Sequence, residues 1–151
     1  MKLQPIGGVL ARPAIRVLVV TDRCGDFERL VAVLAGSRWE ACCARSVAEA
    51  TDLLRKEGAA GVILCERRLP DGTWRDVLNA AGHQSDSPRV IVMSRTADDE
   101  LWNDVLAGGG YDVVPIPFDS REIFRVVTLA WNHWAAHRRP SHGVRQAAKV
   151  A

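Results

Sequence analysis

Apolar and polar positions follow two rhythms along this chain. Continuous apolar runs, the mark of strands buried on both faces, occupy Ile15 to Val20, Gly61 to Cys65 and Arg89 to Met93. A weaker run covers Trp39 to Ala44, and a last one Asp112 to Ile116. Between them the apolar residues fall at helical spacing: Phe27, Leu30, Val31 and Leu34; Ala50, Leu53 and Leu54; Trp74, Val77, Leu78 and Ala81; Leu101, Trp102, Val105 and Leu106; Ile123, Val127, Ala130 and Trp134. Local signals punctuate these segments. Ser46-Val-Ala-Glu49 reads as a capping box for the second helix, and the fourth reads as capped near Thr96. Gly108-Gly109-Gly110 stops the fourth helix, and the fifth runs from about Asp119 to His137.

Five strand-helix units within one short chain predict an α/β fold with a parallel five-stranded sheet, doubly wound in the flavodoxin-like order 2-1-3-4-5. Pro115 falls in the fifth strand, and that order makes the fifth strand an edge, where proline is tolerated. The 151 residues suffice for one domain, expected at 14–138, with tails at 1–13 and 139–151. A 48% hydrophobic and 25% charged composition is that of an ordinary globular protein, and a net charge of +2 does not argue for nucleic acid. Arg138, Arg139, Arg145 and Lys149 read as a solvated basic end. No apolar run has membrane-spanning length and the start lacks a signal-peptide core, so the expected location is the cytoplasm, away from membranes. Cys24, Cys42, Cys43 and Cys65 have no zinc-ligand spacing and read as reduced thiols.

Ligands of open α/β sheets bind outside the carboxyl ends of the strands. There the pattern places Thr21 and Asp22, then Glu66, then Ser94 and Arg95, and last Ile116-Pro117-Phe118. Two acids and a hydroxyl on one rim suit a hard cation such as Mg²⁺, and phosphoryl chemistry. Any one of them alone reads more simply as a polar strand end facing water.

With those residues in view, the sequence resembles the receiver domains of two-component response regulators, from Ile15 to Arg138. RVLVVTDRCGDFERLVAVL resembles the opening strand, acidic pair and first helix of that family. GVILCERRLPDG resembles the strand that carries the phosphorylated aspartate, and RVIVMSRTADDELWNDVLAGGGYDVVPIPFD resembles the remainder. The resemblance implies that Glu66 stands at the phosphoacceptor position and that Thr21 and Asp22 stand at the metal-binding acidic pair. Ser94 stands at the switch hydroxyl, Ile116 replaces the family's lysine, and Val113 holds the aromatic switch position, with Tyr111 two residues earlier. It also implies a cis Ile116-Pro117 bond. Such a pattern is similar to degenerate, stand-alone pseudo-receivers whose third strand reads Cys-Glu-Arg.

Glutamate carries its carboxylate one methylene further than aspartate, and a displacement of about 1 Å can cost on the order of 100-fold in rate. Isoleucine at 116 removes the cation that would offset transferred phosphate. The expectation is therefore a non-enzymatic module without stable phosphorylation, with weak or no Mg²⁺ at Asp22 and Glu66 and no other cofactor. Arg95 or Arg67 is the candidate substitute cation. Three readings of Glu66 stay open: an imitation of the phosphorylated state, drift after the switch fell out of use, or a partner for an arginine that holds the loop. A protein partner is implied: a histidine kinase, a downstream regulator, or a second copy docked through helix 4, strand 5 and helix 5. Phe124 and Trp131, seven residues apart on the fifth helix, are the candidate anchors.

Other classes fit less well. A receiver still modulated by phosphodonor or Mg²⁺ at the Asp22 and Glu66 rim is the nearest alternative. A flavodoxin-like enzyme or ligand-binding module needs a phosphate loop after strand 1, where Asp22 and Asp26 would repel phosphate. Cys24 and Cys65 have no histidine beside them for thiol catalysis, and His133 with His137 reads as a surface pair more readily than as a metal pair.

Overall fold

Residues 15–57, 60–82 and 86–137 are described by a computed structural model. The segments 1–13 and 139–151, expected as tails, lie outside the described residues. In chain order the elements are β1 (Ile15–Val20), α1 (Cys24–Leu34), β2 (Trp39–Ala44), α2 (Val47–Glu57), β3 (Val62–Glu66), β4 (Arg68–Leu69), β5 (Gly72–Thr73), α3 (Trp74–Gly82), β6 (Arg89–Ser94), α4 (Asp99–Ala107), β7 (Asp112–Pro115) and α5 (Ser120–His137). Five strands form one sheet in the order β2-β1-β3-β6-β7, every pair parallel. That is the expected 2-1-3-4-5 order, because β4 and β5 are a separate two-residue hairpin. β7 is an edge and Pro115 on it is exposed, as the proline required.

Alternation along the strands divides the core in two. Leu18, Val20, Ile63, Cys65, Val90 and Val92 point to the face that α2, α3 and α4 cover. Val17, Val19, Val62, Leu64, Ile91 and Met93 point to the face under α1 and α5. Successive residues of β3 thus enter opposite cores, which is why its sequence is uniformly apolar up to Glu66.

Several helix ends depart from the sequence reading. α4 is capped by Asp98, whose carboxylate accepts the Leu101 N–H at 2.9 Å, and not by Thr96. The aspartate three positions before an amide does what the threonine, two residues too early, cannot. α4 ends in a Schellman motif: the Gly110 N–H reaches the Val105 carbonyl at 2.8 Å and the Gly109 N–H that of Leu106 at 3.3 Å, with Gly109 at φ +102°. The capping box of α2 is only half formed. Ser46 Oγ accepts the Glu49 N–H, but the Glu49 carboxylate accepts the N–H of Arg45 rather than that of Ser46. A more distant group completes this cap. The Asp71 carboxylate, in the turn between β4 and β5, accepts the N–H groups of Val47 at 2.8 Å and Ala48 at 3.0 Å. Those two bonds hold its carboxyl below the usual range.

Gly61, just before β3, lies under α5 where only hydrogen fits. A Cβ there would sit 2.6 Å from Trp134 and 2.9 Å from Trp131. These two rings and Trp39 make an aromatic cluster, with the Trp39 and Trp131 centroids 6.2 Å apart, edge to face, and the Arg38 guanidinium 6.0 Å from the Trp131 ring.

Candidate functional site

The carboxyl ends of β1, β3 and β6 converge on a cavity of about 410 Å³. Its wall includes Asp22, Glu66, Ser94, Arg95, Arg67 and Thr96. Glu66 is the last residue of β3 and is 8% exposed. Both of its carboxylate oxygens are engaged. Thr21 Oγ1, at the end of β1, donates to Oε2 at 3.1 Å, and Arg95 Nη1, just past β6, donates to Oε1 at 3.4 Å. Burial pushes the Glu66 carboxyl above its ordinary range; the Thr21 hydroxyl pulls it back, the charge of Asp26 raises it, and Arg95 and Arg23 lower it.

Arg95 does more than answer Glu66. Its Nη2 donates to both oxygens of Asp26, at 3.0 and 2.9 Å. Asp26 is 1% exposed and also accepts from Arg29 Nη1 at 3.4 Å. One guanidinium, 42% exposed at its outer edge, therefore bridges a carboxylate on α1 and another on β3. The sequence reading did not assign Asp26 to the site. The signal was there: Asp26, Leu30 and Leu34 stand at i, i+4 and i+8, so an acid occupies a position on the buried stripe of α1. An acid at such a position demands a partner.

The other predicted site residues are placed as follows. Asp22 is exposed at the cavity mouth. Arg67 donates to Thr96 Oγ1 at 3.3 Å and makes no ion pair with Glu66. Of the two candidate cations, Arg95 is the one that reaches the glutamate. Ser94 Oγ accepts the Thr96 N–H at 3.0 Å and lies 3.3 Å from Thr96 Oγ1. Ile116 is buried in the core beneath α5. The Ile116-Pro117 peptide bond is cis. Val113 is buried toward α4, while Tyr111 hydroxyl bonds His133 Nδ1 at 2.6 Å. His137 Nδ1 lies 2.8 Å from the His133 carbonyl. Cys65 is buried, and both burial and Glu66 raise its thiol far above the usual range; burial raises that of Cys43.

The Mg²⁺ implied by the family resemblance can be tested against this donor set. Glu66 already spends one oxygen on Thr21 and one on Arg95, Thr21 supplies no charge, and Asp22 is left as a single exposed carboxylate. Among the described residues no group of three or more His, Cys, Asp or Glu is arranged to hold a metal. The residues do not fit a divalent cation, which needs several free oxygen ligands.

The expected interface anchors need correction. His133 bonds Tyr111 beside β7, whereas Trp131 packs on Trp39 at the opposite edge of the sheet. At 100° per residue, Phe124 shares the stripe of Trp131, so both lie on the flank of α5 turned away from β7. Trp131 is half-buried in the aromatic cluster; Phe124 is exposed on that same far flank. The face made by α4, β7 and α5 instead exposes Trp102 and Leu106 from α4 and Leu129 from α5, each 40–46% exposed. Sequence periodicity identified a second stripe on α5 but not which neighbour it meets.

No family model and no curated protein matches this sequence. Solved structures do match. A signal receiver domain from Vibrio parahaemolyticus superposes with a TM-score of 0.75 at 17% identity, covering 82% of this chain and 94% of that one. The signal receiver domain of an HD domain-containing protein from Pseudomonas fluorescens gives 0.74 at 20% identity, covering 83% and 93%. A CheY-like response regulator receiver domain protein from Methanospirillum hungatei gives 0.71 at 17% identity, covering 82% and 98%. The chain has the fold of response-regulator receiver domains. Among the described residues no helix is long and apolar enough to cross a membrane.

Proposed function

We propose that this chain is a receiver-type module of two-component signalling that works by protein contact and does not carry phosphate on Glu66. The observation that supports this most is the state of the Glu66 carboxylate, buried with Thr21 on one oxygen and Arg95 on the other. An acceptor must present a free oxygen to the incoming phosphorus, with a cation beyond it to offset charge. Here the cation is already bound to the acceptor and to Asp26, and residue 116 is an apolar core side chain. Of the three readings of Glu66, pairing with an arginine is the one the geometry favours. Imitation of a phosphorylated state is disfavoured, because Ser94 turns to Thr96 and not to the glutamate.

Incubation with a small phosphodonor and Mg²⁺, followed by intact mass, is the direct test. The expected mass is unchanged. A stoichiometric gain of one phosphoryl group, lost in Glu66→Gln, would restore the reading of a receiver still under phosphodonor control.

Action by contact requires an available surface. We assign it to α4, β7 and α5, with Trp102, Leu106 and Leu129 as the apolar contacts and a second copy of the chain, a histidine kinase or a downstream regulator as the partner. Sedimentation of Trp102→Ala/Leu106→Ala checks the self-association arm. The variant is expected to stay folded with a modestly lower melting temperature, since both side chains are only partly buried, and to lose association. A parent protein that stays monomeric at high concentration would remove self-association and leave the other partners.

A further inference from the structure

We infer that the cavity at the strand tips is a site for a small, multiply charged anion of the phosphate class, bound non-covalently by arginines. Four arginines line the cavity: Arg23, Arg67, Arg68 and Arg95. Arg95 is committed to Asp26 and Glu66. Arg23, Arg67 and Arg68 pair with no carboxylate among the described residues, and Arg67 touches only the hydroxyl of Thr96. On the acidic side, the two oxygens of Glu66 are occupied and Asp22 is the one carboxylate of the wall left open. With Arg95 and Arg29 set against Asp26 and Glu66, the negative floor is neutralised from within the protein, while the rim keeps three guanidinium groups against the single carboxylate of Asp22, an excess of two positive charges.

A guanidinium presents paired N–H donors in a fixed fork that matches the oxygens of phosphate. Three such forks are more than a monocarboxylate can answer; an ion of charge −2 or beyond, with several oxygens, can. Ser94 and Thr96 add hydroxyls to the same wall. α1 starts at this rim with Arg23 in the cap position and no side-chain cap, and the acid of its first turn, Asp26, is already paired with Arg95 and Arg29. The cavity volume of about 410 Å³ lies within the range of small-molecule sites, roughly 300–1,000 Å³. A free diphosphate, or the diphosphate group of a larger metabolite, has this charge and size. The inference does not depend on the α4, β7 and α5 face being an interface.

Sodium pyrophosphate titrated calorimetrically into the magnesium-free protein, with sodium chloride of matched ionic strength as the control, tests this. Saturable binding to the parent is expected, with a rise in melting temperature that chloride does not reproduce. Arg67→Gln/Arg68→Gln should weaken it by roughly tenfold or more for each arginine that contacts the anion. Arg68 is exposed and Arg67 half-buried, so the melting temperature without ligand reports whether the variant is folded. Arg23→Gln is the second variant should the first fail to fold. ADP in a parallel titration separates the sources. Binding that the same substitutions weaken assigns the site to a diphosphate group on a larger molecule, and binding of pyrophosphate alone assigns it to the bare ion. Absence of saturable binding, an affinity unchanged in the arginine variants, or binding that requires added Mg²⁺ would overturn the inference.

Discussion

Replacing Arg95 by alanine is expected to lower the free energy of unfolding by about 3 kcal/mol, the low end of the range for leaving a buried charge without its partner. The low end applies because Arg95 is 42% exposed and Arg29 still reaches Asp26. The cost has two parts. Asp26, 1% exposed, loses a guanidinium that contacts both of its oxygens, and Glu66 loses the cation on Oε1. The Glu66 part has a sign that pH reveals. Its carboxyl is already raised in the folded protein, and removing Arg95 removes a group that lowers it. The fold then binds a proton on Glu66 at a pH where the unfolded chain does not, so this part of the penalty is full above the folded value. It disappears as pH falls through the folded value toward the ordinary carboxylate range. Urea unfolding of the parent and Arg95→Ala from pH 7 down to pH 4 should show the gap narrowing. A substitution without effect at pH 7 would mean that the bridge is solvent-screened and contributes nothing, and the reading of Glu66 as an arginine-held residue would fall with it.

The second large effect is expected at Gly61→Ala, a loss of about 2 kcal/mol from overpacking. The new methyl group would meet Trp134 at 2.6 Å and Trp131 at 2.9 Å. Neither ring is free to swing aside. Trp134 Nε1 donates to the Asp86 carbonyl at 3.1 Å, and Trp131 stands edge to face with Trp39. The strain has to be taken up by lifting the end of α5 from the sheet, so the midpoint of urea unfolding should fall with little change in its slope. A midpoint within error of the parent would show that α5 is loosely seated there.

What the sequence made legible follows from what a one-dimensional pattern can carry. Strand order, the edge position of Pro115 and the convergence of Thr21, Glu66 and Ser94 follow from runs of burial and from where each run stops. Partnership between distant polar groups does not leave such a pattern. Arg95 looked like one of two interchangeable cations until its distances to Glu66 and Asp26 separated it from Arg67. Asp71 stands in a Pro-Asp-Gly turn between β4 and β5; its second task, capping α2 across 24 positions of sequence, needs the two segments side by side. The aromatic pair on α5 failed for a related reason. Periodicity gives the angle between two side chains on one helix, whereas the flank they occupy is set by neighbours at opposite edges of the sheet, Trp39 on one side and Tyr111 on the other.

The burial of Ile116 bears on reversibility. Substitutions that would rebuild an acidic pocket with a lysine beside it are each expected to weaken this protein when made singly. Lysine at 116 alone would place an ammonium among Met93, Val114 and Ile123, in the same core as Ile116, where an unpaired charge is costly. Aspartate at 66 alone would shorten the reach to Thr21 and to Arg95, and leave the latter bound to Asp26. Acid at 21 alone would set a second carboxylate against Glu66, where the hydroxyl now donates. The apolar side chain at 116 and the bridging arginine at 95 thus depend on the same surroundings, Glu66 and Thr21 included.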